Sequence, residues 1–359
     1  MTAARPDTPS APPAGSRPRV LVVDDSAVVR GLVARWIEAD GRLELAGTCP
    51  DGEQGLRRAA ELQPDLVVLD VEMPRMDGLT ALPLILKAAP KARVVMASTL
   101  TRQGAEVTMK ALSLGAADFA AKPGAGQLGG ADAYRIDLLE KLTALCPRPA
   151  PPRRVTAPLR PDQRPAVSRP SLIAIGASTG GPQALREVVA ALPADAGAPI
   201  LITQHMPRLF TAMLAEHLSQ VGLPAAEAVD GEALRPGRIY LAPGDFHMRV
   251  TPGPGGLHAA LDQGPKVNFC RPAVDPLFVS LAEANIRNVL AVVLTGMGTD
   301  GREGARRLYE AGAHVIAQDR ASSVVWGMPG AVVEAGLADM VLPLSEIGPE
   351  IARRLRGWS

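Results

Sequence analysis

Four charged residues in the first third of the chain have the types and spacing for phosphorus chemistry. Asp24 and Asp25 close the apolar run of VLVVDDS, Asp70 closes that of LVVLDVEMP, and Lys122 ends DFAAKP. Short branched apolar runs, each followed by turn residues and an amphipathic stretch, read as parallel strands alternating with helices. In an open parallel sheet the carboxyl ends of the strands line one crevice, so these residues meet in space despite their separation in sequence. Clustered carboxylates suit a hard divalent cation such as Mg2+, which keeps several waters and takes one or two carboxylates plus phosphate oxygen. One carboxylate is then left to attack phosphorus. An aspartate after a strand is also a common turn residue or helix N-cap; that reading serves for any one position and is weaker for all of them jointly.

A second set lies beyond residue 170. Ser178 follows the run SLIAIG in ASTGG, His205 follows APILIT, and Asp300 closes NVLAVVLTGMGTD. Three parallel-type strands thus deliver serine, histidine and aspartate to one sheet edge, and those are the residue types of nucleophilic acyl transfer. Serine needs a base, imidazole titrates near neutrality, and a carboxylate on its far nitrogen fixes the tautomer. The ASTGG turn runs into PQALREVVAAL with Pro182 at a first helical position, which sets Ser178 against a helix N-terminus whose N–H groups suit an oxyanion. The plainer alternatives are that Ser178 and Asp300 cap their own helices and that His205 is a packed strand-end residue. His247, in APGDFHM, is the rival base. His217, His258 and His314 fall in a helix, a hairpin and an apolar strand and read as structural.

These elements have to be organised in more than one core, since 359 residues exceed what one ordinary core serves, and a hydrophobic content of 47% fills two. The break falls between Arg148 and Pro170, where seven prolines and six arginines accompany one acidic residue and no apolar face recurs. That composition predicts a semi-rigid linker. Residues 1–18 predict a disordered tail with no apolar targeting core. The expected divisions are therefore 1–18, 19–147, 148–170 and 171–359. Within the last, RIYLAPGDFHM and TPGPGGLHAAL predict strands and a hairpin, and NFCRPAVDPLF a loop. A net charge of +1 gives no global reason for a nucleic-acid or anionic-membrane partner. Cys49, Cys146 and Cys270 are odd in number and lack a CxxC spacing, which argues against a disulfide framework or zinc site. No run approaches the ~18 apolar residues of a membrane span, so a cytoplasmic location without direct membrane insertion is expected.

Residues 19 to 145 resemble a response-regulator receiver domain. Beside the strand-end acids they carry a hydroxyl after VVMA (Ser98), an aromatic three residues before the lysine (Phe119), and PRMDG after the Asp70 strand. The resemblance implies a flavodoxin-like (βα)5 fold in which Asp70 is phosphorylated by a partner histidine kinase. Asp24, Asp25, Asp70 and the backbone carbonyl of Glu72 would organise Mg2+, Lys122 would hold the phosphoryl oxygens, and Ser98 with Phe119 would form the switch. Residues 171 to 355 resemble the catalytic domain of the chemotaxis protein-glutamate methylesterases of the CheB type. The stretches that carry the likeness are IGASTGG, ITQHMP, IYLAPGDFHM, NFCRPAVD, LTGMGTDG and WGMPGA. This resemblance implies a doubly wound, mostly parallel α/β domain with a small antiparallel hairpin. It makes Ser178 the nucleophile, His205 the base and Asp300 the orienting carboxylate, with Thr179 and Met297 as active-site supports and no cofactor for hydrolysis. Family members act on methyl esters of chemoreceptor glutamates, and many deamidate glutamines there. Phe269 and Cys270 stand where other members carry basic or polar residues.

Two other classes fit parts of the pattern. A receiver joined to a DNA-binding output is a common plan, but the second half alternates strands and helices and holds no helix-turn-helix with a basic recognition helix. A dinucleotide-binding unit would use the glycines of IGASTGG. Their spacing is G-x-x-x-G-G rather than G-x-G-x-x-G, and the next strand ends in Gln204 and His205 instead of an acid for a ribose.

Overall fold

The computed structural model describes residues 17–123, 130–146 and 169–357. The expected tail and linker lie almost wholly outside them. The first unit runs β1 (Arg19–Val23), α1 (Ala27–Asp40), β2 (Glu44–Cys49), α2 (Gly52–Leu62), β3 (Leu66–Asp70), α3 (Gly78–Ala88), β4 (Arg93–Thr99), α4 (Arg102–Ser113), β5 (Asp118–Lys122) and α5 (Gly130–Leu145). Its five strands form one parallel sheet in the order β2-β1-β3-β4-β5. Helices cover both faces, which is why LVVLD of β3 is buried throughout and apolar at every position before its aspartate. The chain leaves β1 to one side for β2 and returns on the other for β3. The crevice at this reversal lies between the ends of β1 and β3, where Asp24 and Asp70 stand.

The second unit runs β6 (Leu172–Ala177), α6 (Gly181–Ala190), β7 (Ile200–Gln204), α7 (Arg208–Val221), β8 (Ala225–Glu227), β9 (Ile239–Leu241), β10 (His247–Gly253), β11 (Gly256–Asp262), α8 (Val274–Glu283), β12 (Val289–Val293), α9 (Arg302–Glu310), β13 (His314–Gln318), α10 (Met328–Glu334), β14 (Met340–Leu342) and α11 (Leu344–Arg356). Seven strands pair in parallel in the order β14-β13-β12-β6-β7-β9-β8, and β10 and β11 form a separate antiparallel hairpin. Alternate residues of β6 face opposite layers. Ile173 and Ile175 pack with Leu185 and Val188 of α6 and Ile347 and Ile351 of α11, while Leu172 and Ala174 pack with Leu277 and Phe278 of α8. The doubly wound architecture with its small hairpin is the expected one. NFCRPAVDPLF corrects the loop expectation in its second half: VDPLF opens α8, with Pro276 in the first turn, where a missing N–H costs no helical hydrogen bond. The reversal in this sheet falls between β6 and β12.

The two units pack together. Phe119, in β5, stacks on Phe210 of α7 with ring centroids 4.2 Å apart, a geometry worth about 0.5–1.5 kcal/mol beyond its area. Arg93 Nη1 donates to the carbonyl of Val324 at 2.8 Å, and Gln183 of α6 donates to that of Ala116 at 3.2 Å. Val325 is buried in the core cluster of the first unit, with Met297 and Val324 packed against it.

Candidate functional site

At the first sheet edge the structure gathers Asp24, Asp25, Asp70 and Lys122. Asp24 accepts from the Ser26 N–H at 2.9 Å, which anchors it at the start of α1. Lys122 Nζ lies 2.8 Å from Asp24 Oδ2 and 2.7 Å from Asp70 Oδ1. Carboxylate oxygens of Asp24, Asp25 and Asp70 lie within 4.8 Å of one another, with Asp25 on the exposed side. Burial pushes the Asp70 carboxyl up to about 6 although Lys122 pulls it down, so the cluster would be eased by a further cation. Three hard oxygen donors around that space fit Mg2+. Glu72 is exposed in the turn that follows. Gly78 explains the glycine of PRMDG, since a Cβ there would fall on the Asp70 carbonyl oxygen. The buried Ser98 hydroxyl is turned to the carbonyl of Gly104 at 3.1 Å, and Phe119 lies in the contact with α7 rather than in the acidic cluster.

At the second edge, Ser178 follows β6 in a turn closed by the Gly181 N–H on its own carbonyl at 2.7 Å. Gly180 has a φ of 77°, the left-handed region that glycine tolerates. Gly181 has no Cβ because one would fall on the Gln204 side chain, whose Nε2 donates to the Ser178 carbonyl at 2.9 Å. Ser178 N–H is taken by the Thr295 carbonyl at 3.0 Å. The N–H groups of Thr179 and Gly180 meet no acceptor among the described residues, and so are the backbone donors open to an oxyanion.

His205, at the end of β7, holds Asp300 Oδ2 with Nε2 at 2.7 Å. Asp300 also accepts the N–H of Val274 at 2.6 Å and of Asp275 at 3.0 Å, and the amide of Asn268 at 3.1 Å. It therefore caps α8 rather than its own helix α9, and Asp275 returns the service by accepting the Gly304 N–H of α9 at 2.7 Å. Burial alone would raise Asp300; the His205 ring and these N–H groups overrule it and hold the carboxyl down at about 2. Burial likewise works against a charged His205, yet its partners Cys270 and Asp300 outweigh it and push the imidazole up to about 10. Burial, then the Asp300 charge, drives Asp275 up to about 6.

The second partner of His205 is Cys270, whose Sγ lies 3.4 Å from Nδ1; the Ser178 hydroxyl is not among the ring's hydrogen-bond partners. His247 has both nitrogens committed, to the Pro265 carbonyl at 3.0 Å and the Ala273 N–H at 3.2 Å, which removes the rival base. His217, His258 and His314 lie in α7, β11 and β13, as expected. Thr179 is buried and Met297 packs against the first unit. Asn268 and Asp275 were missed as site residues, although both stand in the quoted NFCRPAVD stretch. Asp118 of β5 was missed as well: burial raises its carboxyl, and it shares a hydrogen bond with the Thr179 side chain, beside Ser178.

A receiver-type sheet with a phosphoacceptor-like acidic cluster, packed on a parallel sheet that presents serine, histidine and aspartate at one edge, defines a receiver joined to a hydrolase unit of α/β architecture. Family models agree: a response regulator receiver domain matches residues 20–128, and a CheB methylesterase matches residues 173–351. The protein-glutamate methylesterase/protein-glutamine glutaminase of Maricaulis maris is 55% identical, over 97% of this chain and 98% of its own length. A second such protein, from Caulobacter vibrioides, is 56% identical over 94% and 99%. The crystal structure of the Thermotoga maritima CheB methylesterase catalytic domain is 43% identical, with a TM-score of 0.50, covering 51% of this chain and 97% of that domain. The chain belongs to the CheB family of protein-glutamate methylesterases/protein-glutamine glutaminases.

Proposed function

We propose that this protein hydrolyses glutamate methyl esters on chemoreceptors, deamidates receptor glutamines at the same site, and is switched on by phosphorylation of Asp70 by a chemotaxis histidine kinase. The observation that carries the hydrolase reading is the 2.7 Å pair of His205 with a buried Asp300 at the sheet edge that also bears Ser178. Ser178 Oγ attacks the ester carbonyl while its proton passes to His205 Nδ1, the nitrogen that Asp300 leaves unheld. The negative oxygen is held by backbone N–H groups of the ASTGG turn, and Asp300 stabilises the imidazolium. The carbonyl re-forms, the C–O bond breaks, and His205 returns the proton to the departing methoxide. Water then repeats the path on the acyl-enzyme, freeing the carboxylate and Ser178. With a glutamine the leaving group is ammonia. Incubation with methylated receptor and assay of released methanol tests this reading; no release from folded protein would refute it.

In the receiver, Asp24, Asp25 and the backbone of Glu72 are the residues to hold Mg2+ beside Asp70. When bound, the cation screens negative charge on the incoming phosphoryl group. Lys122, already on Asp24 and Asp70, is placed to hold phosphoryl oxygens. Labelling with a small-molecule phosphodonor is expected to require a divalent cation, to vanish in Asp70→Asn and to need more cation in Asp25→Asn. An acyl phosphate formed at the normal rate by Asp70→Asn would transfer the role to another aspartate. The contacts of Asp118 with Thr179, and of Val325 and Met297 with the receiver, support an unphosphorylated state in which the receiver covers the hydrolase site. Among the described residues no helix is long and apolar enough to cross a membrane.

A further inference from the structure

Both ring nitrogens of His205 are engaged, and one of their partners has no part in the acyl-transfer scheme. Asp300 receives four donors, from His205, Val274, Asp275 and Asn268, and is ionised. Nε2 therefore carries a proton and donates it. Nδ1 is left to share a second proton with Cys270, either as thiol donating to neutral ring or as imidazolium donating to thiolate. In both forms the nitrogen that has to receive the Ser178 proton is already occupied.

The thiol is held there by its surroundings. Val267 and Cys270 exchange backbone hydrogen bonds, at 3.1 Å from Val267 N and 2.9 Å from Cys270 N. On either side of Phe269 and Cys270 the same turn is pinned, by Asn268 on Asp275 and Asp300 and by Arg271 Nε on Asp245 at 2.9 Å. Phe269, between Asn268 and Cys270, whose side chains bond to Asp300 and His205, is 95% exposed. The turn thus presents Cys270 to the site from the side of His205 opposite Asp300.

We propose that Cys270 is a positioning residue of the hydrolase: it holds the base nitrogen of His205 in the resting enzyme and yields it to Ser178 when substrate enters. This rests on the assignment of Ser178 and His205 above. Cys270 and Ser178 then compete for Nδ1, and loss of the competitor frees the base. The titratable groups facing the ring are Asp300 and Cys270, with Asp275 one hydrogen bond further and Lys141 of the receiver within electrostatic reach of Cys270. A base works only when neutral, so the rate falls as pH drops through the His205 titration. Because Cys270 is among the groups that raise that titration, its removal shifts the acid limb to lower pH.

The test uses the full chain, selectively labelled with 15N-histidine, as wild type, Cys270→Ala and Cys270→Ser. In Cys270→Ala the His205 Nδ1 resonance is expected to move to the position of an unshared nitrogen and its titration to move to lower pH. On methylated receptor under one phosphorylation state, kcat is expected to rise roughly 3- to 10-fold, the scale of one modest hydrogen bond, with KM unchanged. Cys270→Ser keeps a hydroxyl on Nδ1 and is expected to keep kcat near wild type while its titration also falls. Unchanged His205 resonances in Cys270→Ala, or a kcat that drops in both variants with the acid limb in place, would overturn the proposal. Methanol release by no variant, with the resonances shifting as described, would count against the hydrolase reading and leave the pairing standing.

Discussion

Replacing Ser178 with alanine is expected to lower methanol release by about ten-thousand-fold or more while the protein stays folded, the scale seen when a nucleophile is removed from such a constellation. The fold should survive because the turn is held by backbone atoms and by Gln204, not by the hydroxyl. His205→Gln should be about as damaging. His247→Ala should behave differently: it strips partners from the Pro265 carbonyl and from the buried Ala273 N–H. Its expected effect is a stability loss of about 1–3 kcal/mol, read as a lower denaturant midpoint, with the rate per folded molecule near wild type. A folded Ser178→Ala protein that releases methanol normally would remove the nucleophile assignment. An inactive but fully stable His247→Ala protein would reinstate the rival base.

The second large effect is expected from the receiver. A fragment beginning at residue 165 should exceed the unphosphorylated full-length protein in methanol release, and phosphorylation of the intact chain should raise release as well. If covered and open arrangements stand at about 100 to 1, uncovering gives at most roughly 100-fold, or about 2.7 kcal/mol of contact between the units. The Phe119–Phe210 stack and the Arg93 and Gln183 hydrogen bonds are contacts of the right number and kind for that magnitude. The Thermotoga maritima catalytic domain was crystallised as a domain by itself, which makes the fragment a fair object. A folded fragment no faster than the intact protein would sink the covering arrangement and leave recruitment or rearrangement as the basis of activation.

Much of both sheet edges was legible because several candidate residues close or directly follow a strand, and the ends of parallel strands share an edge. Asp24, Asp70, Ser178 and His205 carry that signal locally. What surrounds them is set by residues distant in sequence. Nothing near Asp300 announces that it caps α8 through Val274 and Asp275, 26 and 25 positions away in the chain. The start of α8 was hidden by Pro272 and Pro276, which read as loop punctuation while one of them occupies a helical first turn. The contact of Cys270 with His205 could not be read, because a thiol without a CxxC spacing carries no pattern and the two residues lie 65 positions apart. The docking of the units was equally invisible. Phe119, Arg93 and Gln183 have no periodicity that distinguishes an interface from an ordinary core or surface.

The most direct test of the central claim is methanol release from methylated chemoreceptor by the full-length protein, with and without a small-molecule phosphodonor and Mg2+, alongside Ser178→Ala and Asp70→Asn. The expected result is release that rises with the phosphodonor in the wild type, stays at the basal rate in Asp70→Asn and is lost in Ser178→Ala. Wild-type protein that is folded and phosphorylated yet frees no methanol, or Ser178→Ala protein that frees it at the wild-type rate, would contradict the account.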